Sequence, residues 1–153
     1  MANRSKNGGV TMVWNGDEVK RQAEILSQKS AFEIGLFVEG QAKLLAPVDT
    51  GRLRGSIQTV SGTGQRTKPK DSNDTIAQPD EKNETFVGTA VQYAPYMEYG
   101  TIRTSAQPFL RPALDIARGR TLTIVQVEAK KAFGEYLTPK DQWKAAGGKG
   151  FVE

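Results

Sequence analysis

Two carboxylates of this chain sit in glycine-bearing turns, Asp49 in Val48-Asp-Thr-Gly51 and Glu98 in Tyr96-Met-Glu-Tyr-Gly100. An enzymatic reading would have to rest on these two as an acid–base pair, with Tyr93, Tyr96 and Tyr99 as auxiliaries. Histidine and cysteine are both absent, which removes the commonest general base, the commonest metal ligand and most nucleophilic arrangements. No carboxylate cluster stands at the spacing of a metal-binding loop. The sequence therefore points away from catalysis, and no metal or cofactor is expected. Taken alone, Asp49 is a turn residue, its side chain suited to accept from nearby backbone N–H groups.

The charged residues are laid out in blocks. Residues 41–70 carry Lys43, Arg52, Arg54, Arg66, Lys68 and Lys70 against Asp49, and residues 71–100 carry Lys82 against Asp71, Asp74, Asp80, Glu81, Glu84 and Glu98. Opposed blocks suit a chain that meets copies of itself or other charged rings. The basic block, with Arg66, Lys68 and Lys70 at its end, also suits phosphate neutralisation, so a DNA-contacting module is the alternative function. The tyrosines do not interleave with the cations as base-stacking platforms would. Gly62-Thr-Gly-Gln-Arg-Thr-Lys68 lacks the spacing and the following helix of a phosphate loop.

These residues must be held by a modest set of elements. The chain has 153 residues, enough for one domain with a sizeable core, and a net charge of +4. No apolar run is long enough to span a membrane, and the first residues have no apolar segment like that of a signal peptide. A soluble protein of a reducing compartment is expected. Val10–Trp14 is a short strand candidate. A long helix follows, with Val19, Ala23, Leu26, Ser30, Ile34, Phe37, Gln41 and Leu44 as its apolar stripe, ending before Pro47. Leu53–Ser61 and Glu84–Thr89 read as antiparallel strands. Between them, 62–83 is nearly devoid of apolar side chains and reads as a long projecting loop. Tyr93–Tyr99 reads as one helical turn. A last helix starts at Pro108 and continues through Thr121–Val127, despite the strand-like composition of that stretch. The expected class is α+β, with a single domain over 1–138 and a polar tail over 139–153.

Three segments in order resemble one family: Ala46-Pro-Val-Asp-Thr-Gly-Arg-Leu-Arg-Gly-Ser56, Val87-Gly-Thr-Ala-Val-Gln-Tyr-Ala-Pro-Tyr-Met-Glu-Tyr-Gly-Thr101, and Ala106-Gln-Pro-Phe-Leu-Arg-Pro-Ala-Leu114. Together they look like the head–tail connector or tail-completion proteins of long-tailed double-stranded DNA phages. The resemblance spans about 25–115 and leaves 62–83 and the tail unassigned. It implies a non-enzymatic structural protein of the virion neck, made in the bacterial host cytoplasm. It implies a small antiparallel sheet between a long N-terminal and a C-terminal helix. Copies would form a ring, six being the expected number, between a head-side connector or stopper and the tail tube or its terminator, with DNA in the channel and no membrane partner. A closed ring needs two different complementary faces on each subunit.

The matching positions then acquire expected roles. Pro47, Asp49, Thr50 and Gly51 would set the turn from the first helix into the sheet, with Arg52 and Leu53 leading into the strand. Tyr93, Tyr96 and Tyr99 would wedge the irregular segment onto the core while leaving hydroxyls at the surface. Glu98 would cap the turn at Gly100-Thr101, or pair with Arg52 or Arg111. Pro108 and Phe109 would anchor the last helix, whose first turn holds Arg111 and Pro112. Outside the matching positions, the basic residues Arg66, Lys68 and Lys70 are the candidates for contact with DNA or a partner.

Overall fold

The computed structural model describes residues 16–70 and 73–133; the Val10–Trp14 strand candidate and the 139–153 tail lie outside them. The element order is α1 (Gly16–Leu45), α2 (Arg52–Ser56), β1 (Gln58–Ser61), β2 (Thr85–Gly88), α3 (Ala94–Tyr99) and α4 (Leu110–Phe133). This is the expected α+β arrangement, two long helices around a two-stranded antiparallel sheet. Among the described residues no helix is long and apolar enough to cross a membrane.

α1 opens with Asp17 and Glu18 and closes with Lys43, each favourable to the helix dipole, and it stops before Pro47. Its buried side is rotated from the expected stripe: Ser30, Gly35, Val38, Glu39 and Ala42 are buried, whereas Val19 and Leu44 are exposed. The reason is that α1 serves two partners, α4 along one side and the sheet along the next. α4 runs antiparallel to α1. Leu114 shares a groove with Ile34 and Val38, and Glu128 shares another with Lys29 and Phe32. Ala113, Ala117 and Glu128 are buried, so Thr121–Val127 is helical as expected. Packing against α1 decides this in favour of helix over a local strand preference.

Gly35 is where the sheet meets α1. A Cβ there would lie 2.6 Å from the Thr85 Cγ2 and 2.7 Å from the Thr59 Cγ2. The Thr59 hydroxyl also donates to the Gly35 carbonyl at 3.2 Å and to Glu39 at 2.6 Å. The register pairs Thr59 with Val87 and Ser61 with Thr85, so these residues share the face toward α1.

Two expectations are corrected. The strand expected over 53–61 begins as a helical turn. Gly51 adopts φ 76°, the Gly55 N–H bonds the Gly51 carbonyl at 2.9 Å, and the Ser56 hydroxyl donates back to Leu53 at 2.8 Å. These local bonds satisfy the backbone before any strand partner is reached, so only Gln58–Ser61 pair. The turn from the first helix therefore enters α2 rather than the sheet. Nor does the 62–83 connection project away from the domain. Thr67 N–H donates to Thr59 at 2.9 Å, Ser61 N–H to Gln65 at 2.8 Å, and Lys70 N–H to Gly55 at 2.8 Å. Farther on, Asp74 is buried and its carbonyl accepts from Gln58 Nε2. The sheet face away from α1 carries Gln58 and Val60, both fully buried. This connection bonds the outer backbone edge of β1 through 65–67 and reaches the Gln58 face through Asp74, without needing apolar side chains of its own.

The Gly35 contact separates two otherwise similar substitutions. Gly40→Ala, which meets nothing within 4 Å, should gain about 0.5–1 kcal/mol from helix propensity. Gly35→Ala gains the same but overpacks against two threonine methyls, a cost of about 1–3 kcal/mol that should leave it less stable than wild type. Urea midpoints at unchanged slope check this; equal stabilisation by both would mean the sheet does not rest on Gly35.

Candidate functional site

The three resembling segments meet at one corner. A cleft of about 570 Å³ is lined by Pro47 to Leu53 from the first, Tyr93 and Met97 from the second and Gln107 from the third. The Ser56 and Thr89 hydroxyls are hydrogen-bonded at 2.6 Å, joining the first two segments again on the far side of α2. Beneath the corner lies the main core, where Leu53, Ile57, Val91, Ala94 and Phe109 pack with Val38, Ala42 and Ala46 of the α1 end.

Glu98 is the residue that closes the corner. It is buried on α3, and Oε2 accepts from the N–H of Phe109 at 2.8 Å and of Leu110 at 3.0 Å, while Oε1 accepts from Arg111 N–H at 3.1 Å. Three of the unpaired donors at the start of α4 are thus satisfied by one carboxylate from another element. Arg111 Nε stands 3.8 Å from Oε1, and its guanidinium lies 4.2 Å from the Tyr99 ring centre. Burial pushes the Glu98 carboxyl up, but the three N–H bonds and the Arg111 charge outweigh burial and hold it below its ordinary value of 4.5.

The loop between α3 and α4 shapes this geometry. Gly100 takes φ 77°, and a Cβ there would lie 2.7 Å from Ala106 N and 2.9 Å from Thr104 O, so the position requires glycine. The Thr101 hydroxyl accepts from Arg103 N–H at 3.2 Å and Thr104 N–H at 3.0 Å. Gln107 N–H then bonds the Met97 carbonyl at 2.8 Å, which returns the chain to α3 with Phe109 above Glu98.

The expected roles can now be placed. Glu98 caps α4 and pairs with Arg111; the Gly100-Thr101 turn is capped by Thr101 itself. Arg52 pairs instead with Asp74, at 3.4 Å, so one contact between the basic and acidic blocks is internal to the protomer. Pro108 stays exposed just before α4, Phe109 is fully buried, and Pro112 is half-buried in the first turn. Asp49 is exposed on the cleft rim, and Thr50 offers its hydroxyl to Arg52 N–H at 3.5 Å. Asp49 and Glu98 are not an acid–base pair, because Glu98 spends both oxygens on helix donors. The tyrosines do not wedge into the core: Tyr93, Tyr96 and Tyr99 are 40%, 62% and 67% exposed. The core at this segment is made instead by Ala94 and Phe109, with Met97 packed against it. Ile102 is fully exposed and Val48 is 61% exposed, so these segments leave aromatic and aliphatic side chains in solvent, Val48 and Tyr93 on one cleft. Arg66, Lys68 and Lys70 are exposed at alternate positions of the stretch that runs along β1, away from Glu98.

Glu39 was missed in the sequence. It is buried and accepts from Thr59 at 2.6 Å and Thr67 at 2.8 Å, with Lys43 at 2.5 Å, fastening α1 to β1 and to the 62–83 connection. A glutamate between Val38 and Gly40 on a helix has no signal distinguishing it from a solvated one; only its partners, 20 and 28 residues away, reveal it. Among the described residues no group of three or more acidic side chains is placed to hold a metal ion. Comparison with family models, curated proteins and solved structures returned no match.

Because the folded Glu98 carboxyl is held low, its stabilising contribution is complete above the unfolded value and is lost as pH falls through the depressed folded value. Wild type should therefore lose stability below about pH 4.5, and Glu98→Gln should flatten that fall while costing less than Glu98→Ala, for which about 1–2 kcal/mol is expected at neutral pH. Urea titrations across pH 3–7 measure both; a pH slope unchanged in Glu98→Gln would remove Glu98 as its source.

Proposed function

We propose that this protein is a structural component of the phage neck that completes the tail and joins it to the DNA-filled head as a homo-oligomeric ring. The observation that carries this reading is the corner where the three resembling segments converge. Its interior is committed to holding α3 on α4, and its outside offers Tyr93, Tyr96, Tyr99, Ile102 and Val48 to solvent. Exposed aromatic and aliphatic side chains on a rigid base suit protein contact. Glu98 acts there as a helix clamp, which supports a binding and assembly role over catalysis. The partners are a neighbouring copy, a head-side connector or stopper and the tail tube or terminator, and the place of action is the virion.

Native mass spectrometry and negative-stain microscopy of the purified chain test this. Rings are expected, alone or upon meeting tails. Tyr96→Asp combined with Ile102→Asp should abolish assembly or head–tail joining with the helical circular-dichroism signal unchanged, since both side chains are already exposed. A persistent monomer that leaves heads and tails joined normally when the two residues are changed would sink the reading.

One observation favours DNA contact as the second reading. Arg66, Lys68 and Lys70 present cations at alternate, exposed positions of an extended stretch. If these touch phosphates, duplex DNA binding should weaken with salt, and neutralising all three should reduce the slope of log affinity against log salt by about 2.7. An unchanged slope would assign them elsewhere.

A further inference from the structure

The sheet has an unused edge. Thr59 and Ser61 direct their backbone groups away from β2: Thr59 accepts from Thr67 N–H at 2.9 Å, and Ser61 N–H donates to Gln65 at 2.8 Å. Gly62 N–H, by contrast, reaches the Glu84 carbonyl on the β2 side at 3.0 Å. In an antiparallel ladder the partners of Thr59 and Ser61, Val87 and Thr85, must then point their N–H and C=O groups outward from β2. Among the described residues no strand pairs with that edge. A row of open donors and acceptors is a template for strand addition.

The edge opens into an apolar groove of about 320 Å³ between β2 and α4, with α1 as its floor. Thr85 and Val87 form one wall, Leu110 and Leu114 the other, and Ile34 and Val38 lie below. The Thr85 hydroxyl is buried without a hydrogen-bond partner. α4 and β2 thus both rest on α1 but leave space between them.

We infer that the segment Val10–Trp14 of a second copy of this chain docks as a strand on the outer edge of β2, within the groove between β2 and α4. This segment, Val-Thr-Met-Val-Trp, has strand composition and apolar side chains for the groove, and it lies outside the described residues. It cannot serve its own β2. The sheet meets α1 at Gly35, nineteen residues from Gly16, or about 28 Å along the helix. Trp14 can lie at most about 7 Å from Gly16 and Val10 about 21 Å. The groove begins at Ala31, fifteen residues or about 22 Å from Gly16, so at most Val10 reaches its near end and the segment as a whole cannot lie along Thr85 and Val87 of the same chain, whereas a neighbour's segment is free of that limit. Strand on one side and groove on the other are two different faces, as a closed heterologous ring requires. The inference rests on the self-assembly proposed above and names the joint between copies.

The test uses the full chain and a variant lacking residues 2–14. The full chain should be oligomeric by native mass spectrometry and the truncated one monomeric with unchanged helical signal. Amide exchange at Thr85 and Val87 should be at least about tenfold faster in the truncated protein. In a mixture of isotope-labelled and unlabelled chains carrying a photo-crosslinking residue at position 13, cross-links should join different chains and fall in 84–92 or 110–114. An assembly that survives truncation, or cross-links confined to one chain or to another surface, would overturn the inference while leaving the ring reading standing. Loss of assembly only on deleting 134–153 would overturn it in favour of the C-terminal segment. A full chain that stays monomeric would overturn both.

Discussion

A single buried carboxylate holds α3 to the start of α4. Glu98 arrives on a six-residue helix that has little stability of its own and takes three backbone donors from the start of a 24-residue helix. Those donors have no partner within their own helix, so a carboxylate within reach collects hydrogen bonding and helix-dipole attraction at once. The burial that would otherwise raise its pKa is outweighed by these bonds and by Arg111. Once α3 is tied to α4, the position of the 100–107 loop follows, and with it the outward placement of Tyr96, Tyr99 and Ile102. A rigid base under exposed aromatic side chains limits the ordering cost of association.

The second organising contact is the missing side chain at Gly35. Without it, Thr59 and Thr85 come close enough for the Thr59 hydroxyl to bond both the Gly35 carbonyl and Glu39. A two-stranded sheet is marginal in isolation and needs a helix on one face and cover on the other. Here α1 provides the first, and the polar 62–83 connection provides the second, where the Asp74 carbonyl accepts from Gln58, while Thr67 bonds the outer edge of β1. The price of so small a sheet is an edge of β2 that no described strand pairs with.

The long helices, the two strands and the helical turn at Tyr93–Tyr99 were legible because each follows from local pattern: three-and-four spacing, β-branched runs, and prolines at helix boundaries. Pro47 and Pro108 marked boundaries to within two residues, since proline acts on its own neighbours. The strand over 53–61 was misread because Leu53, Ile57 and Val60 suit either element, while Gly51 and the Ser56 hydroxyl close a helical turn first. The 62–83 connection was misread because its cover of the sheet is made by backbone and polar groups, which leave no hydrophobic pattern.

At the site, the sequence by itself determined which residues were available: no histidine or cysteine, one carboxylate in the Tyr96–Gly100 turn, and glycines and prolines at the segment ends. Tertiary structure alone decided what Glu98 bonds, that Arg52 belongs to Asp74, that the tyrosines face outward and that Glu39 is a fastening. Composition and local pattern are properties of neighbours in the chain, whereas a hydrogen bond between residues 98 and 109 exists only once the core has brought α3 to the start of α4.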